Sequence, residues 1–540
     1  MQEDNFAHAK QNQEPVRVFL ISDAEATSKS LLGNKGAELA EMGTLRLPVP
    51  PGIIITTEAW KEYRVEQELS EKLKAEIAER LKAVEMETGR RFGALSNPLL
   101  VSVRSGAPVS MPGMMDSILN LGLNDLTVTK LADQAEDEMF AYDCYQRFVS
   151  SFARIALGIR GDGFKEIAEK TAQKFNLKSN EVMPVNALKE IIIEYKALVE
   201  KETGNKFPDD VYDQLFQAVR AVFDSWFSER AVEYRHAQNI SENLGTAVIV
   251  QSMVFGNMGD NSGTGVLFTR DPSTGQKKLF GEFLLNAQGE DIVSGVRTPE
   301  PIDALREKLP AIYDQLVRAA DTLELHYRDM QDIEFTIEKE RLYLLQTRNG
   351  KRTAQAAARI AFDMFKEGIM SREQAVKIIR SIPIEEFTVR QKDPNAKVHT
   401  LTKGLPASPG IATGIVVFDS DEAERLKEEG KSVILVRPKT SPEDIRGIMA
   451  AEGVVTAKGG ITSHAAVITR GLGKPCVVGC EEIEVDVDTG RFRVKKGEYE
   501  TVSVARGELI SIDGAEGIVV RGEIPLLVQT LSEYVKELLT

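Results

Sequence analysis

The segment Gly459-Gly460-Ile461-Thr462-Ser463-His464-Ala465-Ala466-Val467, followed by Arg470-Gly471-Leu472-Gly473-Lys474-Pro475, carries the strongest chemical signal in the chain. Two glycines let a loop turn tightly, Thr462 or Ser463 can cap, and the spacing predicts a helix that begins near His464 and stops by Gly471. An imidazole at a helix N-terminus sits beside free N–H groups and the positive end of the helix dipole, which favour an anion such as a phosphoryl group. A neutral imidazole nitrogen is a competent nucleophile for phosphoryl transfer. A bare histidine is more often a satisfied structural side chain; the flanking pattern makes this one a nucleophile candidate.

A second constellation is the pair Asp332-Ile333-Glu334-Phe335 and Leu345-Gln346-Thr347-Arg348, on two β-rich runs separated by Glu338-Lys339-Glu340. The pattern predicts a hairpin, with Asp332 and Glu334 on one face and Ile333 and Phe335 on the other. Paired carboxylates at i, i+2 suit Mg²⁺, which prefers one or two carboxylates plus phosphate oxygens. Gln346 and Arg348 share a face of the partner strand, within reach of a nucleotide. Taken alone, such a pattern is more often a solvated hairpin face.

Phosphate candidates come third. Gly33-Asn34-Lys35-Gly36 opens a helix, Arg104-Ser105-Gly106 ends a strand, and Met111-Pro112-Gly113-Met114-Met115-Asp116 follows at once. Residues 256–265 form a long Gly-rich stretch between strands, able to present backbone N–H groups to phosphates. No G-x-x-x-x-G-K-[ST] occurs, which excludes the Walker-A architecture. Lys35, Arg104, the glycine loop and the carboxylate hairpin in one chain together point to a nucleoside triphosphate site.

These groups need elements to hold them. Strands are expected at Phe19 to Ser22, Gly52 to Thr56 and Leu99 to Arg104, with one amphipathic helix from Lys61 to Arg90 between the last two. From Asp125 to about Gln238 the pattern predicts three or four helices, including the aromatic run Phe140, Tyr142, Tyr145, Phe148 and Phe152, read as core. Strand character returns at Thr246 to Phe255, Gly265 to Thr269 and Lys278 to Leu284. A second helical stretch, Thr353 to Ile379, leads to a polar linker containing Asp393-Pro394-Asn395. Residues 397–522 read as a small separate domain of short Val/Ile strands and Gly-rich turns. In the last stretch, Pro525 to Thr540, Leu527, Leu531, Tyr534, Val535 and Leu538 fall on one helical face, an apolar surface expected to need a partner.

The chain has 540 residues, enough for three or four domains, and 42% hydrophobic residues, enough for several cores. Its 67 Lys and Arg against 82 Asp and Glu leave a net charge of −15, which argues against a nucleic-acid partner. No apolar run approaches the roughly 18 residues of a membrane span. The polar start Met1-Gln2-Glu3-Asp4-Asn5 is unlike a signal peptide, and three cysteines (Cys144, Cys476, Cys480) give no disulfide framework. A cytoplasmic location is expected. Cys476 and Cys480 lack a matching pair for zinc and read as buried thiols.

These motifs resemble the pyruvate, phosphate dikinase family over roughly residues 16 to 522. Gly459 to Cys480 is similar to its phosphohistidine signature, in the T-S-H form of the phosphate-using dikinases rather than the T-C-H of phosphoenolpyruvate synthase. Met111 to Asp125, Gly256 to Pro272 and Gly281 to Asp291 resemble further blocks. The resemblance implies an α/β and α+β multidomain fold: an ATP-grasp nucleotide domain over 1–350 with a helical insertion at about 125–240, a helical connector and linker over 351–396, a swivelling phosphohistidine domain over 397–522, and a linker helix over 523–540. It implies that Lys35, Arg104, Gly113, Met115, Thr264, Gly265, Glu282, Gln346 and Arg348 bind nucleotide and phosphate, and that Asp332 and Glu334 hold Mg²⁺. His464 becomes the phosphocarrier, with ATP and inorganic phosphate as substrates. Thr462 falls where some members are phosphorylated for regulation, which adds about −2 of charge beside the nucleophile.

Two departures stand out. Asn34 and Glu38 vary the usual G-G-K-G-A-N-L of the family. The family also continues into a C-terminal TIM barrel of roughly 250 residues that handles pyruvate. The sequence stops before it, so pyruvate is expected to be used only through a missing barrel domain or a separate subunit. The alternatives are a phosphohistidine donor to a non-pyruvate acceptor on another chain, or a nucleotide-binding regulatory protein without turnover.

Overall fold

The computed structural model describes residues 16–23, 28–109, 111, 115–177, 183–294, 299–383, 387, 389–393, 398–441, 444–496, 500–529 and 533–539. The chain divides into two compact units, Met1–Val254 and Phe255–Thr540. Both mix helices and sheets, as the α/β and α+β expectation requires.

The first unit is built on a five-stranded antiparallel sheet in the order Val18–Leu20, Gly52–Ile55, Ala247–Ser252, Val101–Gly106, Ser117–Leu121. Its central strand, Ala247–Ser252, is buried at every residue and returns to the sheet after the helical insertion. That insertion holds six α-helices among the described residues, between Thr127 and Ala237, rather than three or four. Helix Glu138–Ile155 is capped by Asp137, whose carboxylate accepts the Phe140 N–H at 2.9 Å. It buries Phe140, Tyr145, Phe148 and Phe152, with Phe148 and Phe152 packing edge-on against Phe207; Tyr142 stays half-buried.

The single helix expected over Lys61 to Arg90 is two helices, Thr57–Glu66 and Glu71–Thr88. Gln67 turns left-handed at φ 58°, and the Ser70 hydroxyl restarts the helix by accepting the Leu73 N–H at 3.2 Å. Periodicity carried across this break because the apolar spacing on either side is the same; the cap decides.

The second unit opens with another five-stranded antiparallel sheet, ordered Glu300–Pro301, Phe280–Leu285, Gly263–Phe268, Gln331–Glu338, Arg341–Asn349. The expected hairpin is present. Lys339 and Glu340, at φ 47° and 61°, form the two-residue turn whose twist suits paired strands. Behind it the expected helix over Thr353 to Ile379 is two helices, Ala354–Lys366 and Arg372–Arg380, the second started by a capping box between Ser371 and Gln374.

An eight-stranded mixed sheet follows. Its order is His399–Lys403, Ile518–Arg521, Leu509–Asp513, Ile411–Val417, Val433–Arg437, Gly453–Thr456, Cys476–Val478, Leu405–Ser408. The four strands from Ile411–Val417 to Cys476–Val478 run parallel, with helices Ser420–Glu428, Ile445–Ala450 and His464–Gly471 in the crossovers. Cys476 and Cys480 are buried, and burial pushes both thiols up to about 12.

The end of the chain corrects the sequence reading. Leu526–Gln529 is a strand, paired antiparallel with Val389–Lys392, and among the described residues of this stretch only Glu533–Leu539 is helical. Val535 and Leu538 are buried in one cluster with Ile360, Met364 and Ile379, and Tyr534 packs its ring on Phe362. This part of the apolar face is covered by the chain itself, because two helices of the same unit lie against it. Leu531 and Pro394-Asn395 lie outside the described residues, and the Leu527 side chain does too.

Candidate active site

In the first unit Lys35 follows a break in the helix Lys29–Thr44, where Gly33 adopts φ 69° and ψ 170°. A side chain at Gly33 would collide with the Gly106 carbonyl, so only glycine lets this turn press against the end of the Arg104 strand. The Asn34 N–H donates to the Ala107 carbonyl at 2.8 Å and ties the two loops together. The two departures at 34 and 38 are partners: Asn34 Nδ2 donates to the buried Glu38 carboxylate at 2.6 Å, one turn along. Arg104 is half-buried and donates to Gln251 Oε1 at 2.7 Å, and Met115 lies two residues before Ser117, which pairs with Arg104. Gly113 lies outside the described residues.

In the second unit, strand register does the positioning. Glu334 pairs with Gln346 on one side and Val266 on the other; Val266 in turn pairs with Glu282. One row across four strands therefore carries Glu282, Glu334 and Gln346 on the same face. The next row carries Asp332 between Arg348 and Phe268. Arg348 Nε donates to Asp332 Oδ2 at 2.8 Å, and its Nη2 lies 3.8 Å from Glu334 Oε1. Burial pushes the Asp332 carboxyl up; Arg348 opposes this and Glu334 adds to it. Oδ1 of Asp332 is buried with no hydrogen-bond partner among the described residues. A buried carboxylate oxygen left open beside a second carboxylate fits a divalent cation that takes one or two carboxylates plus phosphate oxygens. No group of three or more His, Cys, Asp or Glu occurs that could hold a metal by protein ligands alone, among the described residues.

Two other members of the set are occupied within the sheet. Thr264 donates its hydroxyl to the Phe335 carbonyl at 3.1 Å. Gly265 lies under the Phe335 ring, which leaves no room for a Cβ.

His464 is the first residue of its helix, as the spacing predicts, and is half-buried. Ser463 occupies the cap position, but its hydroxyl makes no cap hydrogen bond. Thr462 is engaged elsewhere. Its hydroxyl donates to Glu282 Oε2 at 2.8 Å, its N–H donates to the same oxygen at 3.1 Å, and the Ile461 N–H donates to Oε1 at 2.9 Å. Gly460 has the Glu282 carboxylate where a side chain would be, so a Cβ there would have to displace that carboxylate. Burial pushes the Glu282 carboxyl up, and these three donors pull against it. The loop before His464 is thus bound to the face that carries Asp332 and Glu334.

Sequence reading gave no role to Arg470 or Lys351, both of which the structure brings to this helix. Arg470 is buried on the histidine helix and donates to the Ala407 carbonyl and, at 3.0 Å, to the Ile461 carbonyl. Lys351 packs its stem against Gly471, at the far end of the helix, and burial, with Arg348 nearby, lowers its ammonium pKa. The only sequence signal was a cation next to a helix-ending glycine.

Comparisons with known proteins identify the family of the chain. The family described as "Pyruvate phosphate dikinase, AMP/ATP-binding domain" matches residues 29–88, 67–316 and 304–369, and "PEP-utilising enzyme, mobile domain" matches 429–517. The chain is 49% identical over 523 residues to a protein from Mesembryanthemum crystallinum named "Pyruvate, phosphate dikinase, chloroplastic", covering 96% of this chain and 54% of the relative. It is 46% identical over 527 residues to a pyruvate, phosphate dikinase of Rhizobium meliloti, covering 95% and 58%. For one of Entamoeba histolytica the figures are 47% over 515 residues, 94% and 58%. The chain spans a little over half the length of these curated relatives. No described helix is long and apolar enough to cross a membrane. With the nucleotide-domain match running from residue 29 to 369 and the mobile-domain match from 429 to 517, the chain belongs to the pyruvate, phosphate dikinase family.

Proposed function

We propose that this chain uses ATP and inorganic phosphate to phosphorylate its own His464. The observation that carries the reading is the triple hydrogen bond from Ile461 and Thr462 to Glu282, which seats the start of the histidine helix on the face that carries Asp332, Glu334 and Arg348. In this reading the His464 imidazole attacks the β-phosphorus of ATP and AMP leaves. Inorganic phosphate then attacks the outer phosphorus; pyrophosphate departs and one phosphoryl group stays on the imidazole.

Lys35, Arg104, Gly113, Met115, Thr264, Gly265, Glu282, Gln346 and Arg348 are assigned to nucleotide and phosphate. Asp332 and Glu334 would hold Mg²⁺, which when bound neutralises phosphate charge and polarises the reacting phosphorus. Arg348, already between the two carboxylates, is placed to exchange Asp332 for a phosphoryl oxygen. In functional terms residues 1–350 form the nucleotide domain, 351–396 the connector, and 397–522 the swivelling carrier. Phosphoenolpyruvate is made from pyruvate when a barrel domain or subunit receives the phosphoryl group.

The test is incubation of the chain with ATP, Mg²⁺ and phosphate, read by intact mass and by assays for AMP and pyrophosphate. Stoichiometric AMP, pyrophosphate and a single added phosphoryl group support the reading. ADP as the product, or label on any residue but His464, overturns it.

A further inference from the structure

Arg470 is a charged side chain in a place where charge is costly. It is 1% exposed, and burial pulls its guanidinium down to about 10. Among the described residues its hydrogen bonds go to two carbonyls, Ala407 and Ile461. Its guanidinium carbon also lies 5.4 Å from the centre of the Phe268 ring, which belongs to the other sheet of the same unit. Phe268 is the register neighbour of Asp332, and the carboxylates of Asp271, Asp332 and Glu282 all act on Arg470 electrostatically.

The two backbone groups of one residue therefore have partners on different elements. Ile461 gives its N–H to Glu282 on the nucleotide-side sheet and its carbonyl to Arg470 on the histidine helix. Glu282 alone would bind the loop, but it leaves the loop free to pivot about a single carboxylate. A planar guanidinium against Phe268 adds a second point of contact, with a preferred orientation over the ring. A buried cation is tolerated only with compensating charge, and two of the three carboxylates that act on Arg470, Asp332 and Glu282, belong to the candidate site.

We propose that Arg470 is a positioning residue: through Phe268 and the carboxylates of the facing sheet it fixes the angle at which the His464 loop is seated, without touching the phosphoryl group. The proposal rests on the functional reading above for its consequence in catalysis, but the seating itself is measurable without turnover.

Two variants separate contact across the sheets from shape within the loop. Phe268→Leu removes the ring and leaves every Arg470 hydrogen bond in place; Arg470→Lys keeps the charge and loses the planar fork. Amide hydrogen exchange in the full chain reads the Ile461 and Thr462 N–H groups directly. The expected result is faster exchange at these two amides in both variants, by about 3-fold or more for Phe268→Leu and about 10-fold or more for Arg470→Lys. ATP-dependent labelling of His464 should fall in kcat with the KM for ATP unchanged. Phosphoramidate, a small donor that labels an accessible imidazole and needs no second sheet, should label both variants at the wild-type rate.

Wild-type exchange in Phe268→Leu overturns the proposal, because the ring then does nothing for seating. Loss of phosphoramidate labelling in Arg470→Lys also overturns it, because Arg470 then shapes the loop itself. If the wild-type chain takes no label from ATP while both variants exchange faster, the seating role stands and the functional reading falls.

Discussion

The carboxylate hairpin and the histidine loop hold their chemical groups by opposite means. Asp332, Glu334, Gln346 and Arg348 sit on adjacent strands of a five-stranded ladder, with neighbours in register on both sides of Gln331–Glu338. They cannot shift without breaking the sheet. The loop before His464 is held instead by three hydrogen bonds to one carboxylate and by a cation from its own helix. It can be released with its own sheet intact. The proposed metal and phosphate groups are built into a ladder, and the proposed phosphocarrier is held by side chains.

The largest effect is expected where the cargo binds. His464→Ala should abolish covalent labelling from ATP and leave nucleotide binding near normal; the wild-type label should be stable in base and lost in acid. An alanine variant labelled to wild-type stoichiometry would place the nucleophile elsewhere.

Next comes the ladder. Glu334→Gln keeps the shape and removes one charge, so labelling should slow by about 10²–10³ with no change in circular dichroism. Wild-type labelling kinetics in this variant would show that the hairpin carries no metal.

The release side of the comparison is sharpened at Thr462. Thr462→Glu sets a carboxylate against Glu282, and labelling should fall by about 10- to 100-fold; Thr462→Val loses only the hydroxyl bond and should cost about 5-fold. Equal effects of the two substitutions would mean that charge at 462 does not govern seating.

The smallest effect belongs to an ion pair away from the site, between a buried arginine and a carboxylate at the surface. Arg270 is fully buried, bonded to Glu324 and, at 2.8 Å, to Glu367. Burial raises the Glu367 carboxyl, but Arg270 and Lys277 outweigh it and hold the group below its ordinary 4.5. A depressed carboxyl contributes stability that is fully present above the unfolded value and is lost as pH falls through the folded one. Glu367→Gln should therefore cost about 1 kcal/mol in urea unfolding at pH 7, and the cost should shrink as the pH falls below the ordinary carboxylate value of 4.5. A difference that persists at the acid end would assign the cost to packing instead.

What the sequence made legible follows the same division. Period two and a short charged turn were enough to predict the hairpin, with Asp332 and Glu334 on one face and Gln346 and Arg348 sharing a face of the partner strand, because a hairpin is a local object; the register that pairs Asp332 with Arg348 and Glu334 with Gln346 came from the structure. The helix start at His464 was equally local. Glu282 could be named only through resemblance, and its bond to Thr462 spans 180 residues. Arg470 was given no role because its partners are distant in sequence: the Ala407 carbonyl lies 63 residues away and Phe268 further still. The terminal segment misled for a related reason: its helical spacing is real over Glu533–Leu539, but Leu526–Gln529 meets Val389–Lys392, and tertiary pairing overrides local preference there.

That last pairing has a consequence for how strongly the histidine loop must be held. Strands Val389–Lys392 and Leu526–Gln529 lead into and out of the eight-stranded sheet side by side, and the helix after the second packs against those before the first. The body that carries His464 is thus tethered at both ends to one base. In the proposed swivelling, its return to the carboxylate face would be an intramolecular event, governed by an effective concentration of the order of millimolar rather than by the concentration of the protein. At such a local concentration a contact of a few hydrogen bonds and one ring would suffice to seat the loop and still let it go.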